Sequence, residues 1–336
     1  MRAWCVVVPR SEGERIRLVL KERGVLLKSL RVRREGERLY LPTVERLDVG
    51  FPAEEREFEE GFTPIRSYKD VAKVPEAVRR YLPSSFDVVG DIAVLKVRED
   101  LETHRTAIAD AILRWNRKIR VVVQDRGVAG DLRIRRIEII GGERRTTTTH
   151  VEHGLRYRVD LSQAYFSPRL ATERKRIADL VRPGEVVVDP FAGVGPYAIL
   201  IARRSRPSRV EAADANPAAV SLLRANVAVN RAERVHVREA DAHRVLATIA
   251  PADRVILDLP HSAETFLAPA LRALGPVGVV HLYRILERAD EEDAIADIRK
   301  RAERDRFAVE DLTIHHVRAY SPTQSHVALD LRVARA

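Results

Sequence analysis

The sequence predicts an α/β protein. A parallel, doubly wound sheet with an antiparallel hairpin at its edge is preceded by a β-rich α+β domain and a small N-terminal α+β domain. Three observations carry this prediction. From about residue 167, short apolar strands ("EVVVDPF", "RVEAADA", "RVHVREADA", "DRVILDLPH", "GVVHLYR") alternate with helical stretches, the pattern of a parallel sheet covered by helices. The last stretch, "FAVEDLTIHHVRAYSPTQSHVALDLRVARA", reads instead as two strands joined by a Pro-containing loop. Finally, 336 residues with 45% hydrophobic content are enough for two or three cores.

The chain divides by pattern into a small domain over 1–62, a linker over 63–85, a β-rich domain over 86–160 and the doubly wound domain over 161–336. In the first, "WCVVV" predicts a strand, and Ser11 with Glu14 forms the pattern of a capping box for an amphipathic helix ending near Glu22. "LLKSLRVRREGERLYLPT" predicts a hairpin turning at Glu35-Gly36. The following "GFPAEEREFEEGFTPIRSYKDVAKVPEAV" is charged and punctuated by Pro and Gly, so it reads as connecting sequence with short helical pieces.

From Phe86, "FDVVGDIAVLKV" gives a strand, a turn at Gly90-Asp91 and a second strand, with a helix near "THRTAIADAILRWN". Residues 131–161 alternate apolar and basic positions around Gly turns, as a half-buried antiparallel sheet does. Arg133, Arg135, Arg136, Arg144, Arg145, Arg156 and Arg158 outnumber the acids nearby, which makes this sheet the candidate phosphate-facing surface.

The net charge of +10 is due mainly to arginine, whose planar fork suits phosphate oxygens and stacks on bases. Scarce Cys and Met, with abundant charges of both signs, also fit a heat-adapted composition. The single Cys5 cannot close a disulfide within the chain, and no Cys/His spacing suits zinc. No apolar run reaches membrane length. The expectation is a soluble cytoplasmic protein with no metal, no membrane association and no obligate protein partner.

In "VVVDPFAGVGPY" a strand ends at Asp189 and is followed by Gly193 and Gly195, which let backbone approach a ligand at the carboxyl end of the strand. Asp214 ends the next strand, about twenty residues on, where an acid accepts hydrogen bonds from ribose hydroxyls. The dinucleotide pattern Gly-x-Gly-x-x-Gly is not met, which argues against NAD. Asp241 and Asp258 end the third and fourth strands. Any one of these acids alone reads as an N-cap or turn residue. Four of them on successive strands form a polar rim suited to a cationic nucleoside such as S-adenosylmethionine.

"DPFAGVGPYAI", "DANPAAVSLLRANVAVN", "LDLPHSAETFL" and "YFSPRLATERKR" together resemble the archaeal and eukaryotic tRNA (guanine-37-N1)-methyltransferases. The resemblance spans essentially the whole chain and implies a Rossmann-like class I methyltransferase domain at its end. The glycine turn is generic to a large superfamily; "YFSPRL" followed by Glu173 is much more specific.

Guanine N1 carries a proton, so its methylation needs a base for that proton and a donor for charge moving onto O6. In "YFSPRLATERKR", Ser167 fits an N-cap and Pro168 a first helical residue. Leu170, Ile177 and Val181 mark a buried stripe with Glu173 beside it. The resemblance makes Glu173 the general base, and an arginine of "DLRIRRIE" the group that polarises O6: Arg133, with Arg135 as its competitor. A surface ion pair with Arg169 or Arg176 is the plainer reading of Glu173.

By the same resemblance the cofactor pocket comprises Tyr165, Arg169, Asp189, Phe191, Gly193, Val194, Gly195, Asp214, Ala215, Asn216, Asp241, Ala242, Asp258 and Pro260. Asp214 is expected at the ribose and Asp241 beside the adenine. Arg135, Arg136, Arg144, Arg145, Ser167, Pro168, Leu259 and His261 are expected on the RNA side. The expected partner is tRNA, held at the anticodon loop by the catalytic part and at the outer corner by the first domain.

The family usually reads Asn-Leu-Pro where this chain has Asp258-Leu259-Pro260, and an ionised Asp accepts where Asn would donate. Rival readings are a wyosine-pathway enzyme on the same scaffold, a non-catalytic tRNA-binding protein and a small-molecule methyltransferase. The first would transfer an aminocarboxypropyl group or methylate both guanine N1 and a wyosine intermediate. The acid rim speaks against the second, and the two extra domains against the third.

Overall fold

The computed structural model describes residues 1–61, 66–130, 134–249 and 251–336. The chain divides into two compact units, Met1–Val71 and Ala72–Ala336. Among the described residues, no helix is long and apolar enough to cross a membrane, and no group of His, Cys, Asp and Glu could hold a metal ion.

In the first unit, β1 (Arg2–Pro9) is followed by α1 (Gly13–Glu22), β2 (Arg33–Glu35), β3 (Arg38–Thr43) and β4 (Ala53–Glu57). The antiparallel sheet has the order β2-β3-β1-β4. Successive side chains of a strand point to opposite faces. Cys5 and Val7 therefore join Leu30, Tyr40 and Phe58 on one side, while Val6 and Val8 pack with Ile16 and Leu20 of α1 on the other.

The hairpin turns where expected, with Glu35 opposite Arg38. The capping box does not form. Ser11 falls inside a one-turn 3-10 helix over Arg10–Glu12, so it lacks the extended backbone an N-cap needs, and Glu14 binds Arg17 instead. The charged "AEERE", read as connecting sequence, is the edge strand β4. Its exposed acids suit an edge that must not pair further.

The second unit opens with α2 (Glu76–Arg79), then β5 (Asp87–Val89), β6 (Ile92–Leu95), α3 (Arg105–Trp115), β7 (Val121–Ala129) and β8 (Ile134–Gly142). These strands make a sheet in the order β5-β6-β7-β8, against which α3 buries Ile108, Ala109, Ala111 and Ile112. β9 (Thr147–Glu152) and β10 (Leu155–Asp160) form a separate two-stranded ribbon, so the single antiparallel sheet expected over 131–161 is two. The break falls at Gly142 (φ 84°), where an added Cβ would lie 2.1 Å from the Arg120 carbonyl oxygen.

Next come α4 (Ala171–Leu180), β11 (Val186–Asp189), α5 (Pro196–Arg204), β12 (Arg209–Asp214), α6 (Pro217–Val229), β13 (Val235–Glu239), α7 (Ala242–Thr248) and β14 (Ala252–Leu257). α8 (Leu267–Ala273), β15 (Leu274–Glu287), α9 (Glu291–Arg304), β16 (Phe307–Ala319) and β17 (Gln324–Arg335) complete the chain. The seven strands have the order β13-β12-β11-β14-β15-β17-β16. All pair in parallel through β15, and the final hairpin adds antiparallel strands at the edge, as the sequence predicts. One face packs under α4, α5 and α6 (Ile177, Ala198, Leu223), the other under α7, α8 and α9 (Val245, Leu267, Ile298).

The ribbon docks on α6 by hydrogen bonds that imitate strand pairing. Asn230 accepts from the Arg156 N–H (2.9 Å) and donates to its carbonyl (2.6 Å). Asn226 does the same for Arg158 (2.7 and 3.0 Å). Four residues of helix rise about 6 Å and two residues of strand nearly 7 Å, so two amides one turn apart match alternate strand positions.

Candidate active site

The strand order reverses between β11 and β14, and open α/β sheets bind ligands at such a switch point. A cavity of about 800 Å³ lies there, walled by the strand ends, β6, β7 and β8, and the final hairpin. A more open hollow of about 930 Å³ lies beside the ribbon; it is lined by Arg145, which is bonded to Asp91 and Glu143, and by Arg158.

Local backbone chemistry fixes the acids. Asp214 accepts from the Gly193 and Asn216 N–H groups, both at 2.8 Å. Burial pushes its carboxyl up, and these two N–H groups pull it back. Asn216 caps α6 through the Ala218 N–H (3.0 Å) and donates to the Gln163 carbonyl (2.6 Å). Asp241 caps α7 through the His243 N–H (2.8 Å). Asn216 and Asp241 are helix caps, Asp214 closes a turn at the end of its strand, and all three line the cavity.

Asp258 also lines the cavity, and its carboxylate has no hydrogen bond or ion pair among the described residues. Burial pushes it up to about 6, with Arg174 pulling down and Glu173 pushing further up. Asp189 lies behind the wall, 1% exposed. It accepts one long bond from the Phe191 N–H (3.4 Å), and its second oxygen has no partner among the described residues. Burial, then the neighbouring Asp258, holds its carboxyl well above the ordinary range.

Of the two glycines only Gly193 lines the cavity. A Cβ on it (φ 54°) would meet nothing closer than the Tyr165 carbonyl oxygen at 3.7 Å. Gly195 (φ 91°) starts α5, where a Cβ would lie 2.2 Å from Leu223 Cδ1, so it serves packing.

Phe191 meets Phe266 edge-on at 4.9 Å, and His243 stacks on Phe266 at 4.4 Å. Val194, Ala215, Ala242, Leu259, Pro260 and His261 complete this part of the wall. Tyr165 carries the Arg135 guanidinium over its ring at 5.0 Å, and Arg135 is fixed by Asp125 (2.8 Å). Arg133 lies outside the described residues. Arg169 lines the cavity and binds Asp87 (2.6 Å) rather than Glu173. Arg136 and Arg144 are exposed and do not line it, and Arg145 belongs to the other hollow, so the expected single basic surface is divided.

The segment around Glu173 differs in detail from the expected helix. Pro168–Leu170 form a 3-10 turn and α4 begins at Ala171; the Ser167 side chain makes no cap bond, and Ser167 but not Pro168 lines the cavity. Glu173 is 5% exposed and does not line the cavity. Arg176 donates to both its oxygens (2.8 and 2.7 Å), and Tyr283 Oη donates to Oε1 at 2.6 Å.

Arg176 also binds Asp330 (2.6 Å), which accepts from His281 Nδ1 (2.6 Å). Arg254 donates to His281 Nε2 (2.6 Å) and pairs with Glu185 (2.8 Å). Burial, outweighing Asp330, pushes the His281 imidazole down, consistent with one ring nitrogen donating and the other accepting. Burial alone would raise the Asp330 carboxyl, but His281 and Arg176 hold it well below the usual range.

Several wall residues escape the sequence reading. Arg174, 2% exposed, binds Glu152 twice (2.8 and 2.6 Å) and the Ser167 carbonyl (2.9 Å). Its place between Leu170 and Ile177 on the buried stripe is the signal that could have flagged it. Phe266, Arg318, Tyr320 and His326 join the wall from distant parts of the chain, and Tyr197 enters from the first turn of α5.

Residues 148–310 match the family model of the TRM5/TYW2 methyltransferase domain, 71–146 that of the TYW2 N-terminal domain, and 5–50 that of the tRNA methyltransferase 5 N-terminal domain. The chain is 36% identical over 98% of its length, and 98% of the other, to tRNA (guanine(37)-N(1))-methyltransferase Trm5b of Pyrococcus abyssi. The crystal structure of that protein matches with a TM-score of 0.77 over 99% of both chains. A complex of aTrm5 and tRNALeu matches at 31% identity and a TM-score of 0.72, covering 98% of this chain and 99% of that one. A tRNA(Phe) (4-demethylwyosine(37)-C(7)) aminocarboxypropyltransferase of Pyrococcus horikoshii is 27% identical, over 79% of this chain and 94% of the other.

Proposed function

Because the chain belongs to the TRM5/TYW2 methyltransferase family, we propose that it methylates N1 of guanine 37 in tRNA, using S-adenosylmethionine. In this reading Glu173 accepts the N1 proton and Arg133 stabilises charge on O6. The observation that carries it is the end-to-end similarity to Trm5b, 98% of both chains, against 79% of this chain for the aminocarboxypropyltransferase.

The cavity's donors suit the cofactor. A sulfonium cation would relieve the repulsion between Asp258 and Asp189, whose second oxygen is an orphaned buried acceptor. Asp214 would take the ribose, Asp241 the adenine side, and the Phe191–Phe266 wall the base itself, with Gly193 leaving room for the ligand. When bound, S-adenosylmethionine supplies an electrophilic methyl group for the electron pair left on N1.

The protein's part is to move one proton and hold one charge. Protonating Glu173 weakens its tie to Arg176, and Asp330 keeps that guanidinium paired. Charge on O6 calls for a cation, and Arg135, two residues after Arg133 in the sequence, lines the cavity and is anchored by Asp125. A flipped loop base can stack on Tyr165. The first unit would hold the outer corner of the tRNA while the second engages the anticodon loop.

A second reading is activity on wyosine intermediates at the same position. It is favoured by a relative in Saccharolobus solfataricus, tRNA 4-demethylwyosine(37)-methyltransferase Taw21, 31% identical over 73% of this chain. The test is incubation with methyl-labelled S-adenosylmethionine and transcripts bearing G, A or U at position 37, followed by nucleoside analysis. Label in N1-methylguanosine, only with G, is expected. Label that ignores the base at 37, or no label in N1-methylguanosine with G there, would overturn the proposal.

A further inference from the structure

We infer that the proton leaving guanine N1 reaches Glu173 through Tyr197 and Tyr283, a two-hydroxyl relay from the cavity wall to the buried carboxylate. The inference rests on the proposed role of Glu173 as proton acceptor.

Glu173 does not line the cavity, and direct contact with a base there would require it to leave the bonds from Arg176 and Tyr283. Tyr197, 3% exposed, does line it. Tyr197 Oη donates to Tyr283 Oη at 3.0 Å, and Tyr283 Oη donates to Glu173 Oε1 at 2.6 Å. Both hydroxyls point their protons toward the carboxylate, which is the polarity an inward relay needs.

The two rings come from different elements, the first turn of α5 and the middle of β15, and their centroids lie 6.2 Å apart. Asp258 and Arg174 flank Tyr197 electrostatically, and the His326 ring lies 5.6 Å from that of Tyr283 without bonding to it.

The step balances without a further reactant. The N1–H bond breaks and its electron pair stays on N1, to become the bond to the methyl carbon. An O–H bond forms at Tyr197 as its own proton passes to Tyr283, and the Tyr283 proton passes to Glu173. Both tyrosines end as phenols, and Glu173 ends as a neutral carboxylic acid. Burial, then neighbouring Asp258 for Tyr197 and Tyr197 for Tyr283, keeps both phenols well above their ordinary range, so the protons move in concert rather than through a tyrosinate.

Two measurements on the full-length protein test this. The first is an infrared titration without cofactor, in which the Glu173 carboxyl band is identified by its loss in Glu173→Gln. A continuous chain polarises from end to end, so Tyr283→Phe and Tyr197→Phe should both shift the band. A Tyr197→Phe variant that leaves it unmoved overturns the relay.

The second is single-turnover methylation of a transcript with G at position 37. Each tyrosine variant should be slower on the order of 10²-fold, with tRNA and cofactor affinity retained. The curved dependence of rate on deuterium fraction in the wild type should disappear. Adding either substitution to Glu173→Gln should slow it no further.

Wild-type rates in both tyrosine variants, with Glu173→Gln slow, would overturn the relay and leave Glu173 as a direct acceptor. A wild-type rate in Glu173→Gln would overturn both. If Tyr283→Phe does not fold, Tyr197→Phe carries the test alone.

Discussion

Tyr283 and Glu173 lie 110 residues apart in sequence, yet the phenol donates to the carboxylate at 2.6 Å inside the protein. The bond joins the middle of β15 to the first turn of α4. With Arg176 it fixes which way the acid faces, so the carboxylate is oriented before any ligand arrives. Fixed orientation of this kind is what a proton acceptor needs, because no reorganisation remains to be done during the reaction.

Arg176 holds that arrangement together by serving Glu173 and Asp330 at once. Arg176→Met strands two largely buried carboxylates and should cost about 3–5 kcal/mol in urea unfolding at pH 7. Asp330 is held below the usual carboxylate range, so its contribution to stability is present above the unfolded value and fades as the pH falls through the folded one. Without Arg176 that fading should begin at higher pH.

Asp258 has the opposite sign. Its folded-state value, pushed up to about 6 by burial, lies above the unfolded 3.8. Its ionisation therefore removes stability as pH rises between the two, and the full penalty stands above the upper one. Asp258→Asn should unfold at higher urea than the wild type at pH 8. The gain is up to about 3 kcal/mol for a rise of about two units, and it should vanish near pH 4.

The two glycines should separate function from folding. Gly193→Ala places a methyl group toward the open cavity at a positive φ, so S-adenosylmethionine affinity should fall, with a stability loss of only about 1 kcal/mol. Gly195→Ala drives a carbon to 2.2 Å from Leu223 Cδ1, so thermal unfolding should register the larger loss. Calorimetry of cofactor binding and of melting distinguishes the two.

Much of this architecture was legible because it follows from short-range rules. Apolar strands alternating with helices specify the doubly wound sheet, and Asp214 and Asp241 stand out because strand ends and helix caps are local features. The readings that failed involved competition the local pattern does not contain. Ser11 looks like an N-cap until a 3-10 turn absorbs it, and a similar turn at Pro168 shifts the start of α4. Alternation continues across Gly142, but period two reveals a pleat and not which sheet owns it. Arg174 and Tyr283 were missed because their partners, Glu152 and Glu173, are brought near only by folding.

Glu173 is the proposed final acceptor of the guanine N1 proton. Single-turnover formation of N1-methylguanosine at position 37, wild type against Glu173→Gln, tests this role most directly. A fall of roughly 10²–10⁴-fold is expected in Glu173→Gln, with cofactor and tRNA binding intact. An undiminished rate in Glu173→Gln would contradict it.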